Sequence, residues 1–244
     1  MEQNTVKKEP LGKNFYVNVS HNHTFGTDAI LLSNFASASR KDRAVDLGTG
    51  CGIIPLIMLR DGLLESAVGV DISSEATSLA EQTKNELGLE NFTVINSDLN
   101  DLKGKIEFGH HTLITCNPPY KAPGAGIISS SETDKAARHE TACTLQDIIS
   151  VSSRLLQTSG RLCMCHRPER LAEMMDLMRE NKLEPKRLRL VCKQTGEEPW
   201  LVLVEAKKCA KTGLRIAPTL YVYENGELSS EMIEIYGSYK EAYL

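Results

Sequence analysis

The chain alternates short apolar runs with longer segments in which apolar residues recur at helical spacing. Such alternation is typical of parallel α/β proteins, in which helices cover the strands that flank them. Apolar runs bounded by turn residues predict four strands, at Arg43–Gly48, Ser66–Asp71, Phe92–Asp98 and His111–Asn117. Between them the pattern predicts a helix from Cys51 to about Arg60 and another over Ser73–Gly88, which starts with serines and ends with a glycine.

The second half of the chain continues this pattern and ends in a hairpin. The sequence predicts a helix over residues 145–160, a strand over 161–166 and a helix over 168–182 that opens with a proline. Two alternating segments, 185–194 and 198–208, predict antiparallel strands joined by a tight connection. We therefore expect an α/β fold with a doubly wound, Rossmann-like, seven-stranded sheet, mostly parallel with one antiparallel edge strand.

At 244 residues the chain is long enough for one full domain with short additions. We expect an N-terminal extension over residues 1–42, a core domain over 43–206 and a C-terminal extension over 207–244 that packs on the core. Residues 121–143 show weak periodicity and many Gly, Ser and Thr residues. A connection of this length is usually functional, and we interpret it as a lid that orders over a substrate.

The composition excludes several classes of protein. Charged residues are 25% and hydrophobic residues 41% of the chain, as in ordinary globular proteins, and no apolar run has the length of a membrane span. The first residues lack the apolar core of a secretory signal, so a cytoplasmic protein is expected. Seven cysteines lie scattered in apolar contexts, which argues against disulfides and zinc. The pairs His21/His23 and His110/His111 have no further ligands near them in the sequence, so no metal is expected.

The net charge of −4 conceals an asymmetry along the chain. Residues 151–217 carry 14 basic and eight acidic side chains, whereas the segments on either side are acidic. A basic segment can bind an anionic partner such as a nucleic acid, or it can simply be a solvated surface. Charge alone does not choose between these interpretations.

A glycine-rich loop follows the first predicted strand of the core. The stretch DLGTGCG starts at Asp46 and places Gly48, Gly50 and Gly52 between a strand and a helix. This D-x-G-x-G-x-G pattern differs from the G-x-G-x-x-G of dinucleotide sites, which disfavours NAD. Asp71 ends the next strand, where an acid can accept hydrogen bonds from ribose hydroxyls, and Asp98 ends the third, where it can accept from an adenine amino group. Three acids at successive strand ends indicate a nucleoside site.

A second motif, Asn-Pro-Pro-Tyr at Asn117–Tyr120, closes the fourth predicted strand. An exocyclic amine on adenine is a poor nucleophile because its lone pair is delocalised into the ring. The Asn117 side-chain oxygen and the Pro118 carbonyl can accept its two N–H groups and favour a pyramidal nitrogen. Pro118 and Pro119 fix φ and remove competing donors, and Tyr120 offers a ring on which a base can stack. The motif predicts an amino-methyltransferase, the alternative being a strand-terminating turn.

With both motifs in place, the sequence resembles the class I S-adenosylmethionine-dependent methyltransferases over about Gly26–Ala206. The resemblance implies S-adenosyl-L-methionine as the cofactor, with Asp46–Gly52 around its methionine part, Asp71 on its ribose, and Asp98 with Leu99 beside its adenine. The implied set of cofactor-binding residues is Thr27, Asp46, Gly48, Gly50, Gly52, Asp71, Ile72, Asp98, Leu99 and Asn117.

Further segments narrow the resemblance. FGTDAILLSNFA (Phe25–Ala36), ARHE, HRPERL and EPKRLRLV resemble the smaller bacterial branch of the tRNA(Val) adenine-37 N6-methyltransferases. The resemblance implies methylation of N6 of adenine 37 in tRNA, with Asn117, Pro118, Pro119 and Tyr120 as catalytic residues. Substrate contacts are then expected from Tyr120, Lys121 and Arg138. No membrane partner is implied, and a monomer is the simplest expectation.

Asn-Pro-Pro-Tyr leaves other substrates open, because methyltransferases acting on guanine N2 or on the glutamine side chain of release factors share it. The release-factor enzymes carry a separate helical domain upstream, whereas about 45 residues precede Asp46 here. A DNA adenine methyltransferase would need a target-recognition domain, for which little chain is left. A non-catalytic RNA-binding protein that retains the cofactor fold is a further alternative, against which the intact motifs argue.

Overall fold

The computed structural model describes residues 5–119 and 143–237. The elements up to residue 119 are β1 (Lys7–Gly12), β2 (Phe15–Val19), α1 (Thr27–Phe35), β3 (Arg43–Leu47), α2 (Ile53–Arg60), β4 (Ser66–Asp71), α3 (Ser74–Leu87), β5 (Phe92–Asn96) and β6 (His111–Cys116). From residue 143 onward they are α4 (Leu145–Leu155), β7 (Leu156–His166), α5 (Leu171–Glu180), β8 (Leu183–Cys192), β9 (Pro199–Lys208), β10 (Arg215–Ile216), β11 (Leu220–Tyr221), β12 (Tyr223–Glu224), β13 (Glu227–Leu228) and α6 (Ser230–Tyr236).

The main sheet has the spatial order β5–β4–β3–β6–β7–β9–β8, and the short strands β10 and β11 both pair with β8. Among the strands of this sheet that the structure describes, every pairing is parallel except those of β9, which runs antiparallel to β7 and β8. The predicted mostly parallel α/β fold is confirmed, and β10 and β11 bring the sheet to nine strands within residues 5–119 and 143–237. Because the chain builds outward from β3 to β5 and then returns to β6, the sheet has a switch point between β3 and β6.

The reversed strand does not lie at the edge of the sheet, as the sequence predicted, but between two other strands. The reason lies in burial. Leu201–Val204 in β9 are all at most 1% exposed, so this strand is covered on both faces. In β8, partly exposed Arg187 and Arg189 alternate with better buried residues. A continuous apolar run suits an interior strand and an alternating one suits a strand nearer the edge.

The predicted helix over residues 145–160 is also corrected. Helix α4 ends at Leu155, and Leu156 already begins strand β7, where it pairs with His111 of β6. The register between these strands then shifts, and Ser159 takes a positive φ of 67° within the irregular stretch. Leu156 is fully buried, so tertiary burial overrides the helical periodicity of the segment.

Helices cover both faces of the sheet, and each face has its own apolar core. Helices α1, α2 and α3 pack on one face around Leu56 and Phe92, whereas α4 and α5 pack on the other around Ile149 and Met174. The predicted caps of α3 are present: the Ser73 hydroxyl accepts the Ala76 N–H at its start, and left-handed Gly88 ends it. This layered packing fixes the strand ends, on which the site is built.

Two parts of the chain add to this core. An unpredicted antiparallel hairpin, β1–β2, packs on α3, where the Thr83 hydroxyl accepts the backbone N–H of Asn18 at 2.9 Å. Beyond β9, strands β10 and β11 extend the sheet, and α6 packs on α1. The division of the chain at residues 42 and 206 stays a prediction. No helix among the described residues is long and apolar enough to cross a membrane.

Candidate active site

A cavity of about 720 Å³ lies at the carboxyl ends of the parallel strands, across the switch point between β3 and β6. Its walls come from the loop after β3, the ends of β4, β6 and β7, the chain around the start of α1, and residues of α4 and α5. Ligand sites in open α/β sheets form at such a place because the loops on the two sides of the switch point diverge.

The predicted glycine loop forms one wall of the cavity. Gly48 and Gly50 have φ of +72° and +57°, and an added Cβ at either would meet no described atom within 4 Å. Glycine is therefore required there by the backbone conformation, and the open side leaves the main chain accessible to a ligand. Gly52 differs: its added Cβ would lie 3.2 Å from the Ala80 Cβ, so it allows α2 to pack closely, and it is not among the described residues that line the cavity.

Asp71 holds this loop in place. Its Oδ2 accepts the backbone N–H of Gly50 at 2.8 Å, and its Oδ1 accepts that of Ser73 at 2.9 Å. The Val70 carbonyl accepts the N–H groups of Gly48 and Thr49, each at 2.9 Å. Asp71 also lines the cavity. Because each carboxylate oxygen has two lone pairs, both retain capacity for a ligand hydroxyl.

Asp46, which comes just before the loop, is not among the described residues that line the cavity. Its carboxyl group is only 2% exposed; Oδ1 accepts the Thr115 hydroxyl at 2.6 Å, and Oδ2 has no hydrogen-bond partner among the described residues. Burial raises the pKa of Asp46 to about 7, an effect that the hydrogen bond from Thr115 opposes and the nearby charge of Asp71 reinforces. This acid sits at the boundary between its neutral and charged forms near neutral pH.

Three more predicted residues, Ile72, Asp98 and Leu99, border the same end of the cavity. Asp98 caps the short 3₁₀ helix Leu99–Asp101 by accepting the Asn100 N–H at 2.8 Å. Ile72 is a large apolar side chain that is nevertheless 45% exposed. An acceptor beside exposed apolar surface suits a flat heteroaromatic ring that carries an amino group.

Thr27, like Asp46 and Gly52, is not among the described residues that line the cavity. It begins α1, but its hydroxyl lies 3.2 Å from the Tyr236 hydroxyl of α6, and its neighbours Gly26 and Asp28 line the cavity instead. Thr27 therefore connects α1 to the C-terminal helix.

Asn117, Pro118 and Pro119 follow β6 and line the cavity from the strand next to β3. The Asn117 side chain is partly buried, and the Cys165 thiol of β7 donates to its Oδ1 at 3.1 Å. Tyr120, Lys121 and Arg138 lie outside the described residues, as does the predicted lid except its last residue, Cys143. The described part of the motif is thus brought together with the glycine loop.

His166, at the end of β7, lines the cavity and was not assigned a role from the sequence. It is 3% exposed, and its Nδ1 accepts the Arg167 N–H at 2.8 Å, so the neutral ring carries its hydrogen on Nε2. Burial above all, with the charge of Arg170 assisting, lowers the pKa of His166 to about 4. The feature of the sequence that could have identified His166 is its position at the end of a predicted parallel strand, at the start of HRPERL.

Arg170 and Glu173 line the cavity beside His166 and form an ion pair, in which Arg170 Nη2 donates to Glu173 Oε1 at 2.7 Å. Thr144, which also lines the cavity, forms a reciprocal capping box with Asp147 at the start of α4. Arg170, Glu173 and Thr144 therefore add polar groups to the cavity lining.

The cysteines that line the cavity are not set up as nucleophiles. Burial raises the pKa of Cys51 and of Cys143 to about 12, and raises that of Cys116 well above its ordinary value. A thiol with a raised pKa stays protonated at neutral pH and is a poor nucleophile. Covalent thiolate chemistry is therefore disfavoured in this cavity.

Part of the basic charge of residues 151–217 is neutralised within the fold. Arg161 pairs with Asp42, Arg187 with Glu205 and Arg189 with Glu231, at 2.8, 2.8 and 2.6 Å respectively. The charge asymmetry seen in the sequence therefore overstates the basic surface available to a partner.

Comparison with known proteins places this site in a family. The model of the family described as "Methyltransferase small domain" matches residues 19–183, more than half of the chain. A protein named tRNA1(Val) (adenine(37)-N6)-methyltransferase from Parabacteroides distasonis is 29% identical over 183 residues, which are 74% of this chain and 75% of that protein. A protein of the same name from Porphyromonas gingivalis is 27% identical over 190 residues, covering 74% and 72%.

Solved structures show the same fold. A predicted O-methyltransferase from Agrobacterium tumefaciens superposes with a TM-score of 0.70 at 20% identity, over 87% of this chain and 96% of that one. A geranyl diphosphate C-methyltransferase from Streptomyces coelicolor, in complex with Mg²⁺, geranyl diphosphate and S-adenosyl-L-homocysteine, superposes with a TM-score of 0.54 at 17% identity, over 75% and 77%.

The cavity also fits the cofactor that the resemblance implied. Its open glycine backbone, the carboxylates of Asp71 and Asp98 and the exposed Ile72 side chain supply the donors, acceptors and apolar surface that a cationic nucleoside derivative needs. The chain belongs to the Methyltransferase small domain family and is an S-adenosyl-L-methionine-dependent methyltransferase.

Proposed function

We propose that this protein methylates the N6 amine of adenine in RNA, with adenine 37 of tRNA(Val) as the substrate. One observation carries the proposal: Asn117, Pro118 and Pro119 line the same cavity as the glycine loop, from the adjacent strand. The names of the relatives from Parabacteroides distasonis and Porphyromonas gingivalis support this choice of substrate. A cytoplasmic location and a monomeric state stay predictions.

The proposed cofactor contacts follow the geometry of the cavity. Gly48 and Gly50 offer open backbone to the methionine part, Asp71 accepts from the ribose, and Asp98 accepts from the adenine amino group with Leu99 and Ile72 beside the ring. Asp46 lies at the end of β3 just before this loop, where it accepts from Thr115 of β6, and is not proposed as a direct cofactor contact. When bound, S-adenosyl-L-methionine supplies an electrophilic methyl group on a sulfonium.

The protein's own contribution is to make the amine reactive and to align it. The side-chain oxygen of Asn117 and the carbonyl of Pro118 accept the two N–H groups of the target amine, which favours a pyramidal nitrogen with its lone pair free. Pro118 and Pro119 keep this corner rigid and free of competing donors. Alignment of the amine with the methyl group then supplies much of the rate.

A strong general base is not needed in this scheme, because the methylated ammonium is acidic and loses its proton readily. The histidine in the cavity is consistent with that. His166 already accepts a hydrogen bond at Nδ1, so the acceptor nitrogen that a general base would use is engaged by the Arg167 N–H. We assign it to substrate contact. Tyr120, Lys121 and Arg138 are proposed as further substrate contacts on the basis of the sequence.

The experiment that tests the proposal is labelled methyl transfer to purified tRNA, release factor and DNA in parallel, followed by nucleoside and peptide analysis. We expect N6-methyladenine in tRNA(Val), at position 37. Label in a release-factor glutamine or in guanine N2 would show that the proposed substrate is wrong. It would leave methylation of a nitrogen by this site intact. Absence of S-adenosyl-L-methionine binding in calorimetry at millimolar ligand would overturn the proposal altogether.

A further inference from the structure

Asn117 and Cys165 lie side by side at the ends of two adjacent parallel strands. Cys116 of β6 pairs in register with Met164 of β7, so the next residue of each strand comes alongside its neighbour. The Cys165 thiol lies 3.1 Å from Asn117 Oδ1. Cys165 is 0% exposed and is flanked on its other side by Leu203 of β9. A fully buried thiol thus supports the polar end of the Asn117 side chain.

The orientation of the Asn117 amide decides what it offers to a ligand. Its oxygen only accepts hydrogen bonds and its NH₂ only donates them, and the terminal torsion of asparagine is broad, with two opposite orientations of similar shape. A target amine held through its N–H groups needs the oxygen. A rotated amide would present N–H groups to N–H groups and weaken that contact.

We propose that Cys165 is a positioning residue for methyl transfer: its S–H group holds the Asn117 amide with the oxygen as acceptor. Oδ1 accepts the thiol, and because an amide oxygen has two lone pairs, the same atom is proposed to accept the N–H of the target amine in the substrate complex. This inference rests on the proposed function of Asn117. Cys165 is fully buried and is not among the described residues that line the cavity, so its role is assigned to the orientation of the amide.

The same strand provides a matched control. Cys163 lies two residues earlier on the same face of β7, is also 0% exposed, and has its Sγ 3.9 Å from Glu205 Oε2 rather than beside the cavity. A role in packing alone would make the two cysteines equivalent. A role in orienting Asn117 makes only Cys165 matter for turnover.

The test compares Cys165→Ala, Cys165→Val and Cys165→Ser with Cys163→Ala in steady-state methylation of tRNA, with cofactor affinity from calorimetry and stability from thermal melts. We expect Cys165→Ala and Cys165→Val to lower kcat about three- to tenfold, as loss of one neutral hydrogen bond implies. The Kd for S-adenosyl-L-methionine should stay unchanged. Cys165→Ser, which keeps a donor, should recover most of kcat, and Cys163→Ala should lower the melting temperature without lowering kcat.

Wild-type kcat in Cys165→Val, or equal losses in Cys165→Ser and Cys165→Val, would overturn the positioning role. Asn117→Ala, measured in the same series, separates this failure from failure of the proposed function. If Asn117→Ala retains full turnover, the proposed function of Asn117 is wrong. If Asn117→Ala is inactive while Cys165→Val is normal, only the role of Cys165 is wrong.

Discussion

Asp71 accepts the backbone N–H of Gly50 at 2.8 Å, and this bond joins the end of β4 to the glycine loop after β3. The other oxygen of the same carboxylate accepts the Ser73 N–H at 2.9 Å, just before α3. One side chain thereby fixes the loop that lines the cavity and the entry into the next helix, and still faces the cavity itself. The shape of the loop and the acceptor for a ligand depend on a single group.

Asp71→Asn should weaken binding of S-adenosyl-L-methionine about tenfold to a hundredfold, because the amide can accept from only one of the two backbone N–H groups and loses the charge-assisted bond. Isothermal titration calorimetry measures this directly. Asp101→Asn is the control, since the Asp101 carboxylate is 74% exposed and pairs with Lys105. Equal affinities in the two variants would show that Asp71 has no part in cofactor binding.

Asn117→Ala should lower methyl transfer on the order of a hundred- to a thousandfold, comparable to removal of one group that stabilises a transition state, with cofactor affinity unchanged. Steady-state turnover on tRNA measures the rate of methyl transfer, and calorimetry with S-adenosyl-L-methionine measures the cofactor affinity. Asn91→Ala serves as the control, because Asn91 lies away from the cavity and makes a long 3.4 Å contact to the Glu65 carbonyl. Retained turnover would remove Asn117 from the mechanism.

The sequence could indicate which residues the fold brings to the cavity only where local patterns set their position; their roles stay predictions. Gly48 and Gly50 follow a short apolar run, and Asp71, Asp98 and Asn117 each stand where such a run stops. Because parallel strands end at the same edge of a sheet, finding the ends of the strands was enough to bring these residues together.

What the sequence did not predict depends on contacts between distant segments. The position of β9 inside the sheet depends on burial by helices on both faces, and Leu156 becomes part of a strand because it pairs with His111, 45 positions earlier in the chain. The contact of Thr27 with Tyr236 spans 209 residues. No local periodicity carries such information, since it arises only when the whole sheet is assembled.

Asp46→Asn should change how stability depends on pH. In the folded protein the pKa of Asp46 is about 7, against about 3.9 in an unfolded chain. Between these values the folded state holds a proton that the unfolded state releases, so this group makes stability fall as pH rises from about 4 to about 7. The substitution removes this effect. The gain in free energy of unfolding of the ligand-free variant over the native protein should therefore be larger at pH 8 than at pH 4, by on the order of 3–4 kcal/mol. Urea unfolding of both proteins across this range measures it, and parallel profiles would contradict it.

His111→Phe should also change how stability depends on pH, but in the acidic range and with the opposite sign to Asp46→Asn. His111 is 6% exposed, and burial, with the charge of His110 next, lowers its pKa to about 4. Between about pH 6.5 and 4 the unfolded chain binds a proton that the folded protein does not, so the native histidine makes stability fall on acidification. Between pH 6.5 and 4, the free energy of unfolding of the variant should fall by up to about 3 kcal/mol less than that of the native protein. His166 keeps part of the acid sensitivity, because its pKa is also about 4. Parallel stability profiles of the variant and the native protein over this range would contradict the prediction.

Asp42→Ala should be the most destabilising of these substitutions, although Asp42 lies at the end of the sheet opposite the cavity. Its buried carboxylate accepts both Nη groups of Arg161, at 3.1 and 2.8 Å, and the Thr112 hydroxyl at 2.7 Å. Burial alone would raise the pKa of Asp42, but these bonds outweigh it and lower the pKa to about 2. The contribution of the Asp42 carboxylate to folding stability is therefore present above about pH 4 and is lost as pH falls towards 2.

Removing this carboxylate leaves the Arg161 guanidinium without its charge partner, which costs about 3–5 kcal/mol in buried pairs. Arg161 also donates to the Ala36 and Ser37 carbonyls just after α1, so the network anchors the helix whose other end lines the cavity. Urea unfolding at pH 7 should show the loss, whereas Lys105→Ala, which breaks an exposed pair with Asp101, should cost under about 1 kcal/mol. Similar small losses in both variants would mean that the Asp42–Arg161 pair does not hold α1 in place.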